Sequence, residues 1–296
     1  MLFDIPEELK DSIVYLNGSY LPMSEARVPV LDRGFIFGDG VYEVIPVYGR
    51  QPFRLPEHLR RLQASLDAVR MANPHTDEEW TRLVFGLIDR CPHPDQALYL
   101  QVTRGVARRD HAFPKNVRPT VFMMTGALSA PSPELLADGA AAVTAPDNRW
   151  LRCDIKSTAL LGNVMMRQLA VDAGAHETVM LRDGFLTEGA ASNVFVVRDG
   201  VILAPPKSNL MLPGTTYDIV IDLAREHGMP FEIRPVSEAE LRTADEVWIT
   251  SATREVLAVT RLDGKPVGAG KPGPVFERML AAFRAFRSAL ASRTHA

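Results

Sequence analysis

Apolar residues three and four apart recur along the chain, separated by alternating or wholly apolar runs that close on Asx-Gly pairs. Leu59, Leu62, Leu66 and Val69 repeat at helical spacing behind Pro56, a residue suited to a first helical position. A second helix is predicted from Thr76. Glu79 stands three residues on, the spacing of a capping box, and Trp80, Leu83, Val84, Leu87 and Ile88 form the apolar face. Further helices are predicted after Ser157 with Leu161, Val164, Met165 and Leu169, from about Thr216 to Gly228, and near the C-terminus with Val275, Phe276, Met279, Leu280 and Phe283. Strands are predicted at 13–16, running into Asn17-Gly18, and at 41–48, turned by Gly49. Others fall at 97–103, 120–125 and 140–144. Asp183-Gly184, Asp199-Gly200 and Asp263-Gly264 read as hairpin turns between β-rich runs.

Hairpins mixed with helices, without regular βαβ alternation, give an α+β fold. At 296 residues the chain has room for two domains. Residues 126–133 are small, polar and proline-bearing, which is linker composition. The expected division is a smaller N-terminal domain at 1–127, a linker at 128–136 and a larger C-terminal domain at 137–296.

Composition narrows the function classes. Apolar residues at 46% and charged residues at 23% match a globular chain and exclude global disorder. A net charge of −3 offers no basic face for nucleic acid. Cys91 and Cys153 are too few for a disulfide framework or a four-cysteine zinc site, and the histidines lack paired metal-ligand spacing, so no metal is expected. No apolar run reaches the length of a membrane span, and the start from Met1 to Glu8 lacks the charge and apolar run of a signal peptide. A cytoplasmic location is the expectation. No Gly-x-Gly-x-x-Gly directly follows a predicted strand, and the phosphate-loop pattern and the Gly-x-Ser-x-Gly elbow are missing from the sequence.

Three clusters carry candidate chemistry. Lys156, in Asp154-Ile-Lys-Ser157, ends an extended run before a helix that Ser157 is expected to cap. It is either a solvated lysine or a Schiff-base amine held at a junction of elements. Glu188 sits among small residues in Thr187-Glu-Gly-Ala-Ala-Ser-Asn193. That is either an ordinary loop before a strand or an acid that a flat ligand approaches closely. Leu212-Pro-Gly-Thr-Thr216 opens a helix, so its amides and hydroxyls serve as a plain cap or as an anion site. Amine, acid and anion site together suit a phosphorylated aldehyde cofactor.

Six blocks, in order, then carry a resemblance. They are Asp32-Arg-Gly-Phe-Ile-Phe-Gly-Asp-Gly-Val-Tyr-Glu-Val44, Glu57-His-Leu-Arg-Arg-Leu62, Gln101-Val-Thr-Arg-Gly105, Arg109-Asp-His111, Arg149-Trp-Leu-Arg-Cys-Asp-Ile-Lys-Ser157 and Thr187 through Phe195. The sequence resembles the fold-type-IV pyridoxal-phosphate enzymes, the branched-chain and D-amino-acid aminotransferase family, and within it the D-amino-acid branch. The resemblance implies two α/β domains with pyridoxal 5'-phosphate between them, the C-terminal one binding most of the cofactor, and a homodimer. It implies transamination between a D-amino acid such as D-alanine and a 2-oxo acid such as 2-oxoglutarate or pyruvate. L-branched-chain acids, (R)-amines or an aminodeoxychorismate-type lyase reaction are the alternatives on the same fold.

By the same resemblance, Lys156 is the Schiff-base and proton-shuttling residue and Glu188 faces the pyridine nitrogen. Arg61 binds the phosphate, and Leu212, Gly214, Thr215, Thr216, Ser251 and Ala252 complete the cofactor site. Tyr42, Tyr99, Arg109 and His111 surround the substrate carboxylate, with Arg108 a rival for Arg109. Residues two apart on an extended segment point the same way, so Arg109 and His111 are expected to converge if that segment is extended. The sequence departs from the family at Ala190-Ala191, where serines are usual, and at Ala252, where a phosphate-binding threonine is usual.

Overall fold

The computed structural model describes residues 5–292, so the first four residues of the acidic start lie outside it. The chain divides into two compact units. One is 1–129 with 155–160, and the other is 130–154 with 161–296.

The first unit contains β1 (Ile13–Leu16), β2 (Ser19–Pro22), α1 (Arg33–Phe37), β3 (Gly40–Tyr48), β4 (Gln51–Pro52), α2 (Leu55–Ala68), α3 (Asp77–Ile88), β5 (Gln96–Thr103) and β6 (Thr120–Ala127). Its strands form an antiparallel sheet in the order β2-β1-β6-β5-β3-β4. The apolar faces of α2 and α3 supply Leu59, Leu62, Leu66, Trp80, Val84, Leu87 and Ile88 to the core beneath this sheet. The capping box at Thr76 forms as its spacing predicts: Thr76 Oγ1 accepts from Glu79 N–H, and Glu79 accepts from Thr76 N–H.

Residues 155–160 join this unit, although they follow residues 130–154 of the other one in sequence. They run alongside β3. Tyr42 N–H donates to Lys156 O at 2.9 Å, and Thr158 N–H donates to Gly40 O at 2.9 Å. Thr158 Oγ1 also donates to Gly38 O. This corrects the expectation for Ser157. It makes an isolated antiparallel bridge with Val41 and caps no helix, because the backbone at 156–158 is committed to the β3 ladder and the next helix starts only at Leu161.

The second unit contains α4 (Pro133–Asp138), β7 (Ala140–Pro146), α5 (Leu161–Asp172), β8 (Glu177–Arg182), β9 (Phe185–Gly189), β10 (Asn193–Arg198), β11 (Val201–Ala204), α6 (Thr215–Glu226), β12 (Phe231–Ile233), α7 (Glu238–Arg242), β13 (Glu246–Ser251), β14 (Glu255–Leu262), β15 (Lys265–Pro266) and α8 (Pro274–Ser292). Helix α4 lies partly in the stretch of linker composition. The sheet is mixed, with order β12-β11-β10-β13-β14-β7-β8-β9 and β15 beside β14. Its β12-β11, β14-β7 and β7-β8 pairs are parallel. The Asp183-Gly184, Asp199-Gly200 and Asp263-Gly264 turns all have positive φ at both residues, as a two-residue hairpin requires.

Candidate active site

In the first unit, β3 brings Tyr42 and Glu43 to successive positions, so their side chains leave opposite sides of the strand. The Lys156 Nζ lies 4.2 Å from the centroid of the Tyr42 ring. Tyr42 stacks on Tyr99 of the neighbouring β5, with centroids 5.6 Å apart. The Tyr99 hydroxyl donates to Gln101 Oε1 at 2.7 Å, and burial pushes its pKa up to about 12, so it remains a donor throughout the neutral range. Lys156 N–H donates to Ser65 Oγ of α2, which anchors the lysine backbone on a second side.

Glu43 is wholly buried and binds Arg61 through both oxygens. Arg61 Nε donates to Oε1 at 2.8 Å and Nη2 to Oε2 at 2.7 Å. His58 Nδ1 lies 2.7 Å from the same Oε2. Burial alone would raise the pKa of Glu43, but Arg61 and the two sets of hydrogen bonds outweigh it and hold the carboxyl at about 2. Burial lowers the pKa of His58, so its ring is neutral and donates through Nδ1–H. The sequence reading missed Glu43 and His58 as partners of Arg61, although both stand in the quoted blocks.

Arg109 and His111 lie in the irregular segment between β5 and β6. They do not share an extended strand, which corrects the basis on which they were expected to converge. Each lies near the Phe37 ring instead: the Arg109 guanidinium is 5.5 Å from its centroid, and the His111 ring is 5.4 Å from it. Both side chains belong to exposed residues, as does Arg108.

In the second unit, Glu188 stands next to last in β9 with 5% exposure. Its Oε1 accepts from Arg149 Nη1 at 2.6 Å. Its Oε2 accepts from Leu212 N–H at 3.0 Å and from Asn193 Nδ2 at 3.3 Å. Burial pushes its pKa to about 7 against the pull of Arg149 and the Leu212 amide. Arg149 is itself held by Asp147 through two further bonds of 2.9 Å. Asp147, Arg149 and Asn193 were not singled out from the sequence. Arg149 lies 39 residues from Glu188, beyond any local spacing rule.

Asn193 Nδ2 also donates to Leu212 O, so one amide ties the acid to the segment that opens α6. Gly214 is the N-cap of α6 and offers no side-chain cap; a Cβ there would overlap Asn193 Oδ1. Thr215 and Thr216 form the first turn behind it, one residue earlier than expected, with Thr216 buried. Ser251 ends β13, and its Oγ accepts from Arg254 N–H across the turn that contains Ala252. Ala190 follows Glu188 closely and is anchored through its N–H to Thr178 O and Glu177 Oε1.

The chain belongs to the amino-transferase class IV family, whose model matches residues 40–262. It is 42% identical over 271 residues to a D-alanine aminotransferase of Bacillus licheniformis, covering 92% of this chain and 95% of that protein. It is 39% identical over 274 residues to a D-alanine aminotransferase of Staphylococcus aureus strain MW2, covering 92% and 97%. Among solved structures, the branched-chain amino acid aminotransferase of T.th. with pyridoxamine 5'-phosphate superposes with a TM-score of 0.87 at 29% identity, over 96% of each chain. The Escherichia coli branched-chain amino acid aminotransferase gives 0.87 at 27% identity, over 93% of this chain and 94% of that one.

Proposed function

We propose that this protein transfers an amino group between a D-amino acid, such as D-alanine, and a 2-oxo acid, such as 2-oxoglutarate, with pyridoxal 5'-phosphate as cofactor. The observation that carries the reading is the similarity to D-alanine aminotransferases over 92% of the chain. The donor set suits the cofactor, which presents an aldehyde, a pyridine nitrogen and a phosphate. The chain offers a group of matching chemistry for each: the Lys156 amine, the buried Glu188 carboxylate, and Arg61 with the glycine-capped start of α6. The T.th. neighbour was solved with pyridoxamine 5'-phosphate, the aminated form of the same group.

When bound, pyridoxal phosphate supplies an aldehyde carbon that takes amines and a ring that draws electron density from the substrate Cα. Lys156 Nζ is the amine that would hold that carbon, and once free it would take up the proton leaving the substrate Cα. Glu188 would balance positive charge on the pyridine nitrogen. Its hydrogen bonds from Arg149, Asn193 and Leu212 N–H keep it in place for that task. On the family resemblance, Arg61 of the first unit and the amides and hydroxyls of Gly214, Thr215, Thr216, Ser251 and Ala252 of the second would hold the phosphate. Leu212 acts through Glu188, because its N–H is already committed there. Tyr42, Tyr99, Arg109 and His111 hold the substrate carboxylate.

The test mixes the protein with D-alanine or L-alanine and 2-oxoglutarate and resolves the glutamate formed on a chiral column. D-Glutamate from D-alanine alone supports the reading. L-Glutamate overturns it in favour of a branched-chain-type transaminase, and no glutamate from either enantiomer overturns it in favour of a lyase.

A homodimer completes the proposal. Helix α5 exposes Leu161, Val164, Met165 and Leu169, a stripe at helical spacing that a second copy would cover. Light scattering on purified protein measures the mass directly. No described helix is long and apolar enough to cross a membrane. The cytoplasm is the proposed location, consistent with two free, buried cysteines.

A further inference from the structure

The segment between β5 and β6 carries Arg109 and His111 without help from a helix or strand, so something else must hold its shape. Its entry is set by Gly105, at φ +97°, where a Cβ would overlap Arg118 O. Beyond that point Ala107 N–H donates to Leu31 O, and Arg33 of α1 reaches the stretch around His111. Arg33 Nη1 donates to Asp110 O at 2.5 Å and to Ala112 O at 3.4 Å, the carbonyls on either side of His111. Arg33 is 3% exposed, and its guanidinium lies 4.8 Å from the Phe37 centroid, the ring that Arg109 and His111 also approach.

Arg33 is fixed in turn. Its Nε donates to Asp39 Oδ2 at 2.7 Å, and Arg104 Nε donates to the same oxygen at 2.8 Å. Burial pushes Asp39 up in pKa, yet the two arginines win and hold it below the ordinary carboxylate range. Arg104 is pinned to Val69 O and Arg70 O, and it stacks over Phe113 at 3.8 Å, further along the same segment. A guanidinium suits this work because its donors are rigidly spaced, so one group serves an anion and two carbonyls at once; an ammonium has no such fork.

We propose that Arg33, set by Asp39, is a positioning residue for substrate carboxylate recognition: it holds the Asp110 and Ala112 carbonyls and thereby places His111 and Arg109. The proposal rests on the reading that Arg109 and His111 bind the carboxylate. It assigns Arg33 no contact with substrate. Its role is felt in the binding of carboxylates and not in the handling of amines as such.

The test uses the cofactor-loaded protein with Arg33→Gln, Arg33→Lys and, as a reference, Arg109→Ala. Each is assayed with D-alanine and, by spectral titration, with ethylamine, which is alanine without its carboxylate. Arg33→Gln is expected to lower kcat/KM for D-alanine by on the order of tenfold to a hundredfold, mostly through KM, since small misplacement of a binding group has effects of that size. Ethylamine affinity should stay within about twofold of the parent. Arg33→Lys keeps the charge beside Asp39 and serves if Arg33→Gln does not fold; it should show the same selectivity in weaker form. Selective loss with Arg109→Ala but not with the Arg33 variants overturns the inference and leaves the carboxylate reading standing. Equal losses on both ligands with Arg109→Ala remove the carboxylate reading, and the inference with it.

Discussion

Arg149 Nη1 donates to Glu188 Oε1 at 2.6 Å, and both side chains are almost entirely out of water. The arginine lowers the pKa of the acid, but desolvation exceeds it and leaves Glu188 near 7. Arg149 also has Asp147 to serve, so its charge is shared between two carboxylates.

This has a pH signature in the cofactor-free protein. Between the ordinary glutamate range and about pH 7, the unfolded chain loses the Glu188 proton while the folded chain keeps it. Stability from this group is therefore full at low pH and falls as pH rises through that window. The loss is at most about 3 kcal/mol, taking roughly 1.4 kcal/mol for each pH unit. Urea unfolding of parent and Glu188→Gln across the window isolates the effect. Parallel pH profiles for the two proteins would rule it out.

Glu43 has the opposite sign. Its folded pKa of about 2 means that its stabilisation is present above the ordinary glutamate range and is lost as pH falls toward 2. Glu43→Gln leaves the Arg61 guanidinium without its anion in a nearly closed site. Breaking such a pair costs about 3–5 kcal/mol. The variant should unfold at distinctly lower urea and show a flatter acid limb than the parent. A midpoint close to the parent's would mean that Arg61 has found other support.

Lys156 is expected to be the only site of covalent capture. Purified protein should be yellow, and borohydride reduction followed by proteolysis should leave the pyridoxyl group on the peptide with Lys156. Label on Lys207 or any other lysine would remove Lys156 from its role.

Ala252 lies in the turn between β13 and β14, beside a Ser251 hydroxyl that already accepts from Arg254 N–H. Ala252→Thr adds a hydroxyl donor toward the proposed phosphate position. A hydrogen bond to a charged group contributes about 1.5–3 kcal/mol at best, and displaced water reduces that. A net gain of about 1 kcal/mol corresponds to roughly fivefold tighter cofactor binding. Dialysis against cofactor-free buffer, with residual pyridoxal phosphate measured over time, reads it out. Equal retention by parent and variant counts against a weakened phosphate cup at Ala252.

Local features of the fold were legible because their physics is local. Thr76 and Glu79 satisfy one another's backbone amides within a single turn. Each Asp-Gly pair supplies the two positive φ angles of its hairpin from its own residues. The apolar spacing of α2 and α3 needs only a core to face. Ser157 misled because its local signal for a helix cap competes with a ladder partner, Val41, distant in sequence. Arg109 and His111 do come near one ring, but from an irregular segment whose Asp110 and Ala112 carbonyls accept from Arg33, not through strand alternation.

The sequence by itself determined the α+β character, through its periodicity, and the family and the residue types a phosphorylated aldehyde needs, through contiguous motifs that resemble that family's. Tertiary structure alone decided which charges share a buried site: Glu43 with Arg61 and His58, Glu188 with Arg149 and Asn193, Arg33 with Asp39 and Arg104. The reason is desolvation. A carboxylate removed from water must find its donors wherever the packed chain brings them, and that placement follows strand order and register, which no short spacing along the sequence encodes.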